Sequence, residues 1–249
     1  MKKLPKLRRK MKILVINGSP KGDNSNTMNV TRAFLGGFPE TDEIEIVELR
    51  KLDIKPCLGC YSCWGKTEGK CVINDDMRVL REKILAADVI VESFPLYFFG
   101  MPSMVKMMTD RCLPFMMPYL GNIVEQRNIC FHELREKSLL EKKLVVISSC
   151  GYVEADAVYP ALLKQLDLIC GEGKYTSILC AQGELFISGN AKRQRDGYLA
   201  DVKAAGREFS EMLCLSEETK KRIAKPILSP KGFETITSAH WEEKRGAAR

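Results

Sequence analysis

Four cysteines crowd into one short stretch of this chain: Cys57, Cys60, Cys63 and Cys71, spaced C-x2-C-x2-C-x7-C. Three thiolates at three-residue spacing can converge on one cubane cluster while the fourth arrives from further along. The same four could hold zinc in an all-cysteine tetrahedral site, although the spacing is tighter than the usual zinc pairs. Free thiols or an adventitious disulfide fit the spacing too. The other six cysteines, Cys112, Cys130, Cys150, Cys170, Cys180 and Cys214, are scattered singly and read mostly as small buried hydrophobes. In a chain of 249 residues with no legible export signal, ten cysteines do not make a secreted disulfide framework. A reducing, intracellular setting suits a cluster or free thiols alike.

A second group lies in Gly18-Ser19-Pro20-Lys21-Gly22-Asp23-Asn24-Ser25-Asn26-Thr27. A phosphate wants backbone N–H groups, short hydroxyls and a helix N-terminus, and this run offers all three. It is neither a Walker loop, lacking Gly-Lys-Ser/Thr, nor a G-x-G-x-x-G dinucleotide loop. By composition alone, an ordinary strand-to-helix turn with a Ser or Asn cap fits as well. Elsewhere the chemistry is thin. His132 and His240 have no partner that sequence identifies, and no G-x-S-x-G or H-E-x-x-H motif is present. Asp88 and Glu92 read as capping or pairing residues. Lys55, just ahead of the cysteines, reads as solvated.

These groups need elements to hold them. Strand signals at Lys12–Asn17, Glu43–Leu49, Asp88–Phe94, Lys143–Ser149 and Tyr175–Ala181 alternate with helical patterns. The helices are expected near Ser25–Phe38, from Asp75 or Asp76 as N-cap to Ala87, and at Pro102–Cys112, Ala155–Cys170 and Arg195–Leu213. That alternation predicts an α/β fold: a doubly wound, five-stranded parallel sheet of flavodoxin-like order 2-1-3-4-5 with helices on both faces. A ligand would then sit at the carboxyl ends of the strands. The domain is expected over residues 11–215. Residues 114–142 form an insertion and 216–249 a polar C-terminal extension, each a lid, a dimer arm or decoration.

Composition excludes several classes. Hydrophobic residues make up 45%, enough for a core and too many for global disorder. No apolar stretch approaches the roughly 18 residues of a membrane span, so no membrane partner is expected. The net charge of +7 is concentrated in Lys2, Lys3, Lys6, Arg8, Arg9 and Lys10, and removing those six leaves +1. Residues 1–10 therefore read as a basic disordered tail, with Met11 a candidate start. A nucleic-acid surface would need a basic stripe on the domain itself, so none is expected.

The run Ile13–Thr27 resembles the phosphate loop of the flavodoxin-like NADPH-dependent FMN reductase and iron–sulfur flavoprotein family. The run Ser93–Gly100, with Pro102 and Asp110-Arg111 after it, resembles that family's second flavin loop. The cysteine motif, with Pro56 before it and Asp75-Asp76-Met77 after it, resembles the compact cluster motif of the iron–sulfur flavoproteins. The resemblance implies that Ser19, Lys21, Asn24, Ser25, Asn26 and Thr27 surround the FMN phosphate. It places Pro95, Leu96, Tyr97, Phe98 and Gly100 against the ribityl chain and ring, Tyr97 or Phe98 packing on the ring. At least one of Tyr97, Phe98 and Phe99 is expected to serve only the core. A loop after the fourth strand, Ser148, Ser149, Cys150 and Gly151, would border the flavin as well.

The implied activity is that of a cytoplasmic, FMN-dependent oxidoreductase with a small-molecule electron acceptor. No acid or base side chain is required for hydride transfer to a flavin, and no catalytic residue is assigned. The leading expectation routes electrons, possible donor ferredoxin, through a 4Fe–4S cluster on Cys57, Cys60, Cys63 and Cys71 to FMN. The alternative is an NAD(P)H-dependent FMN or quinone reductase without a cluster. A third is a zinc- or thiol-based redox sensor on the same scaffold. The family implies a homodimer or homotetramer.

Overall fold

The computed structural model describes residues 9–118, 132–187 and 191–247. Residues 1–8 of the expected basic tail, and Cys130, lie outside the described residues. Arg9 and Lys10 are described. Arg9 pairs with Asp88 at 2.9 Å, and Lys10 lies 3.6 Å from Glu43.

Five parallel strands form one sheet in the order β2-β1-β3-β4-β5, the flavodoxin-like order expected. They are β1 (Lys12–Asn17), β2 (Glu43–Glu48), β3 (Val89–Pro95), β4 (Lys143–Ser149) and β5 (Tyr175–Cys180). The helices of the core are α1 (Asn26–Leu35), α2 (Met77–Ala86), α3 (Ser103–Asp110), α4 (Pro160–Cys170) and α5 (Lys192–Met212). Strand parity divides the apolar side chains between two cores. Ile13, Val15, Val89, Val91, Val145 and Ile147 face α1 and α5. Leu14, Ile16, Phe94 and Val146 face the side carrying α2, α3 and α4. Strands buried on both faces read as continuous apolar runs for this reason. β2 is an edge strand, and its Ile44 and Ile46 stay exposed.

α4 begins at Pro160, five residues later than the pattern suggested. Residues 155–159 instead turn so that Tyr159, fully buried, donates its hydroxyl to Ser148 Oγ at 3.1 Å. Pro at the first helical position then costs no hydrogen bond. Residues 216–249 contain two more helices, α6 (Glu217–Ile223) and α7 (Pro230–Ala247). Gln182 anchors the second: its side chain donates to the Leu228 carbonyl at 2.9 Å and accepts from the Leu228 N–H at 2.8 Å. Among the described residues no helix is long and apolar enough to cross a membrane.

Candidate functional site

Three loops meet at the carboxyl ends of β1, β3 and β4. The first leaves β1 at Asn17, which is wholly buried; its Oδ1 accepts from the Ser19 N–H at 3.0 Å, while its Nδ2 has no partner. Gly18 has no room for a side chain, since a Cβ would lie 2.1 Å from Val105 Cγ2 of α3. After a turn at Gly22–Asn24, Ser25 caps α1, its Oγ accepting from the Met28 N–H at 3.2 Å. The amides at the start of a helix have no intrahelical acceptor, and those of Asn26 and Thr27 lie there. Ser19, Ser25 and Thr27 are buried, Asn26 is half-buried, and Lys21 and Asn24 are exposed. Two hydroxyl pairs tie α1 to the sheet: Thr27 Oγ1 to Ser149 Oγ at 2.6 Å, and Thr31 Oγ1 to Ser93 Oγ at 2.7 Å.

The second loop follows β3. The Leu96 N–H donates to the Ser149 carbonyl at 2.9 Å, so Ser149 joins all three loops. Pro95 is half-buried and Leu96 buried. Tyr97 and Gly100 exchange both backbone hydrogen bonds, at 3.1 and 3.0 Å, across Phe98 and Phe99. Those two residues have φ of 46° and 64°. Two left-handed residues in a row make a type I′ turn, normally built from Asn and Gly. Two phenylalanines there carry strain of order 1 kcal/mol each, which persists where surroundings impose it, commonly at functional sites. The rings do not repay it by burial: Phe98 is 102% exposed, and Tyr97 and Phe99 are 46% exposed. The expectation that one of these three aromatics serves the core is therefore corrected. They stand in the turn just beyond β3, and none of the three is buried. Phe99 contacts Tyr152 at 5.8 Å between ring centres.

The third loop follows β4. Ser148 and Ser149 are buried. Gly151 lies under Glu184, whose Oε1 would be 2.8 Å from a Cβ. On the far side of Glu184, its Oε2 accepts from the Trp241 indole of α7 at 3.3 Å. The C-terminal extension thus reaches the rim of the same strand ends, a position with no sequence signal.

The cysteine loop lies between β2 and α2. Cys57 and Cys60 are exposed, Cys71 half-buried and Cys63 buried, and none of these four is in a disulfide. The four motif cysteines line one small pocket with Arg111, Leu113 and Pro114. Among the described residues, no three His, Cys, Asp or Glu side chains stand where they could hold one metal ion. Burial pushes the Cys63 thiol up, and negative charge on Cys71, Cys57 and Cys60 pushes it the same way. Hydrogen bonds from the Ser62 backbone and side chain draw the exposed Cys60 thiol down. The Gly59 N–H, at a residue with φ of 62°, donates to Cys57 Sγ at 3.5 Å. Both ends of the 114–142 insertion embrace this loop. Trp64 Nε1 donates to the Leu113 carbonyl at 3.3 Å and its ring lies 4.8 Å from that of His132, while Arg135 pairs with Glu68 at 2.7 Å.

Asp76 takes the N-cap position of α2 without a side-chain capping bond, and the first helical amide, Met77 N–H, donates to Asp75 Oδ1 at 3.2 Å. Asp76 Oδ2 accepts from the Asp53 N–H at 2.8 Å, and the Asp75 carboxylate is paired to Arg111 at 2.7 Å with both side chains buried. Arg111, which the resemblance grouped with the second flavin loop, belongs to the cysteine pocket. Burial pushes the Asp75 carboxyl up, but the Arg111 guanidinium and the N–H groups of Lys55 and Met77 outweigh it and hold it low.

Residues 11–165 match the family described as NADPH-dependent FMN reductase. The chain belongs to that family. It is similar to an iron-sulfur flavoprotein of Methanocaldococcus jannaschii, 38% identical over 104 residues, 42% of this chain and 53% of that protein. It is also similar to an iron-sulfur flavoprotein of Archaeoglobus fulgidus, 36% identical over 102 residues, 41% of this chain and 48% of that protein. The matched region spans about half the length of these curated relatives. In fold it resembles the NAD(P)H:quinone oxidoreductase of Methanothermobacter marburgensis, with a TM-score of 0.58, 18% identity, and 81% of this chain and 96% of that one covered.

Proposed function

We propose that this member of the FMN reductase family is an FMN-dependent oxidoreductase that draws electrons from NAD(P)H and passes them to a small acceptor. One observation carries the reading: Ser149 ties the capped start of α1, through Thr27, and the loop after β3, through Leu96, to the β4 loop in one cradle. When bound, FMN supplies a ring that accepts a hydride and releases electrons singly or in pairs. The residues of this chain supply the rest. Ser19, Lys21, Asn24, Ser25, Asn26 and Thr27 would hold the phosphate at the first amides of α1, where the helix dipole favours an anion. The orphaned Asn17 Nδ2 behind that loop is a spare buried donor beside them. Pro95, Leu96, Tyr97, Phe98 and Gly100 would border the ribityl chain and ring, with Ser149 and Gly151 on the opposite side. Exposed Phe98 and Tyr97 give a flat ring something to stack on.

A second reading keeps the cysteines in the electron path. Its support is that Cys57, Cys60, Cys63 and Cys71 line one pocket, and that the matched relatives named above are iron-sulfur flavoproteins. A 4Fe–4S cluster there would lie at one end of α3 and the flavin loop at the other, separated by a helix about 12 Å long. That reading brings ferredoxin as donor, a homodimer or homotetramer and a cytoplasmic setting.

The test is anaerobic purification followed by a visible spectrum, with assays of flavin, iron, sulfide and zinc per chain. Flavin without iron, reduced on adding NADPH or NADH, is the expected result. Absence of flavin overturns the main reading. Iron and sulfide near about four each, lost in Cys60→Ala while flavin stays, would move the assignment to the second.

A further inference from the structure

The loop after β5, Gln182-Gly183-Glu184, touches the β4 loop on one side and α7 on the other. The Gln182 N–H donates to the Tyr152 carbonyl at 2.9 Å, and its side-chain amide donates to the Val153 carbonyl at 3.3 Å and the Leu228 carbonyl at 2.9 Å. Gly183 packs on Ser149: its N–H donates to the Cys150 carbonyl at 2.7 Å, and a Cβ would lie 3.4 Å from Ser149 Oγ. Glu184, half-buried, stands over Gly151 through Oε1, and its Oε2 accepts from the Trp241 indole at 3.3 Å. Leu228 precedes α7 and Trp241 lies within it, so the helix is fastened beside residues 149–153 at two points. A single carboxylate separates the indole from Gly151, a residue placed above on the flavin border. Phe233 is the ring that α7 buries, while Trp241 stays 49% exposed. Tyr152, next to Gly151, is exposed to the same degree and meets Phe99. The indole is therefore held by its N–H at the rim of the site, with half of its surface left for a ligand.

We propose that Trp241 and Glu184 are specificity-determining residues of the electron-acceptor site. The indole offers a flat apolar surface to an aromatic acceptor, and the Glu184 carboxylate disfavours an acidic one. The acceptor that fits is a planar, uncharged quinone-type ring. This rests on the FMN oxidoreductase reading above and adds to it a wall drawn from α7, beyond residue 165, where the family match ends. Losing one aromatic partner weakens ring binding about two- to tenfold. A like charge at the rim weakens binding of an anion.

The experiment uses the full FMN-loaded chain with NADPH as donor. Turnover converts NADPH, a proton and the quinone into NADP+ and the hydroquinone. The acceptors are duroquinone, whose ring positions are blocked against thiol addition, anthraquinone monosulfonate, which is planar and anionic, and ferricyanide, which has no ring. Trp241→Leu is expected to raise the KM for duroquinone about two- to tenfold at unchanged kcat, with ferricyanide reduction unmoved. Trp241→Phe is expected to restore the wild-type value. Glu184→Gln keeps an acceptor for the indole N–H but removes the charge. It is expected to lower the KM for the sulfonate severalfold and leave that for duroquinone. A readout without turnover accompanies these. Duroquinone titrated into the oxidised chain is expected to quench the emission of Trp241, the part missing from Trp241→Phe, at lower concentration than it quenches free tryptophan amide. A merely structural role for α7 would move all three acceptors together, which overturns the proposal, as does an unchanged duroquinone KM in Trp241→Leu. Dissociation of a dimer by Trp241→Leu at unchanged KM would give this rim to a second copy of the chain and overturn it too. A wild-type chain that retains no FMN overturns the oxidoreductase reading itself. FMN retained and reduced in every variant confines a failure to Trp241 and Glu184.

Discussion

Glu92 lies in mid-β3 between Ile90 and Phe94, on the face packed against α2, α3 and α4. Strand parity puts its carboxyl into an apolar layer, and burial pushes its pKa up to about 7. An acid raised on folding contributes its full stability below its unfolded pKa and loses it as pH rises through the folded value. Glu92→Gln is therefore expected to be more stable than wild type above pH 7, by ~1–3 kcal/mol. The difference should vanish below about pH 4, and urea melts across that range check it. Phe99 makes a second prediction at this scale. Phe99→Gly removes a left-handed phenylalanine from the turn and is expected to stabilise the chain by about 1 kcal/mol. Flavin retention, measured by equilibrium dialysis, is expected to fall, since the same change removes the ring facing Tyr152. Neither environment was legible in the residues themselves: Glu92 read as a pairing residue, and the aromatics as partly core.

Helix packing shows what small residues permit. Gly206 of α5 has no space for a side chain, since a Cβ would lie 1.8 Å from the Phe34 carbonyl oxygen of α1. The approach lets Phe34, Phe38 and Phe209 cluster with ring centres 5.3 to 6.2 Å apart. Gly206→Ala must push α5 off α1, and overpacking of this kind costs about 1–3 kcal/mol or more. A drop in thermal midpoint with intact secondary structure is the expected outcome. α7 gives a different case, an element docked through one buried ring, Phe233, and a set of polar groups. Gln182, wholly buried with φ of 60°, makes two hydrogen bonds to Leu228. Gln182→Ala leaves both Leu228 backbone groups unpaired. Faster amide exchange is expected in α7 while β1, β3 and β4 keep wild-type protection, because α7 carries few of the core residues. The core helices and strands were visible as alternating apolar periods. α6 and α7 were not, because each buries only one large apolar side chain, Ile223 and Phe233, which leaves little apolar stripe to read.

At the level of the whole chain, a ligand that binds the native state alone stabilises it by mass action. The proposed cradle draws on three loops separated widely in sequence, so FMN at about 100 times its dissociation constant is expected to add ~2.7 kcal/mol. Chemical unfolding with and without FMN checks this. Protection of residues 18–27, 95–100 and 149–152 from exchange should rise together; protection of one loop only would contradict a shared site. The sheet order and the order of the loops followed from the sequence alone, because period and punctuation are local properties of the chain. So did the cysteine spacing. What the cysteines face is not local: the pocket depends on Arg111, forty residues beyond Cys71, and on Trp64 meeting Leu113 and His132. The same holds for Ser149, which became the junction of three loops only when β4 took its place beside β3. Contacts between residues far apart in sequence are decided by how layers stack, and a linear pattern carries no record of the partner on the other side.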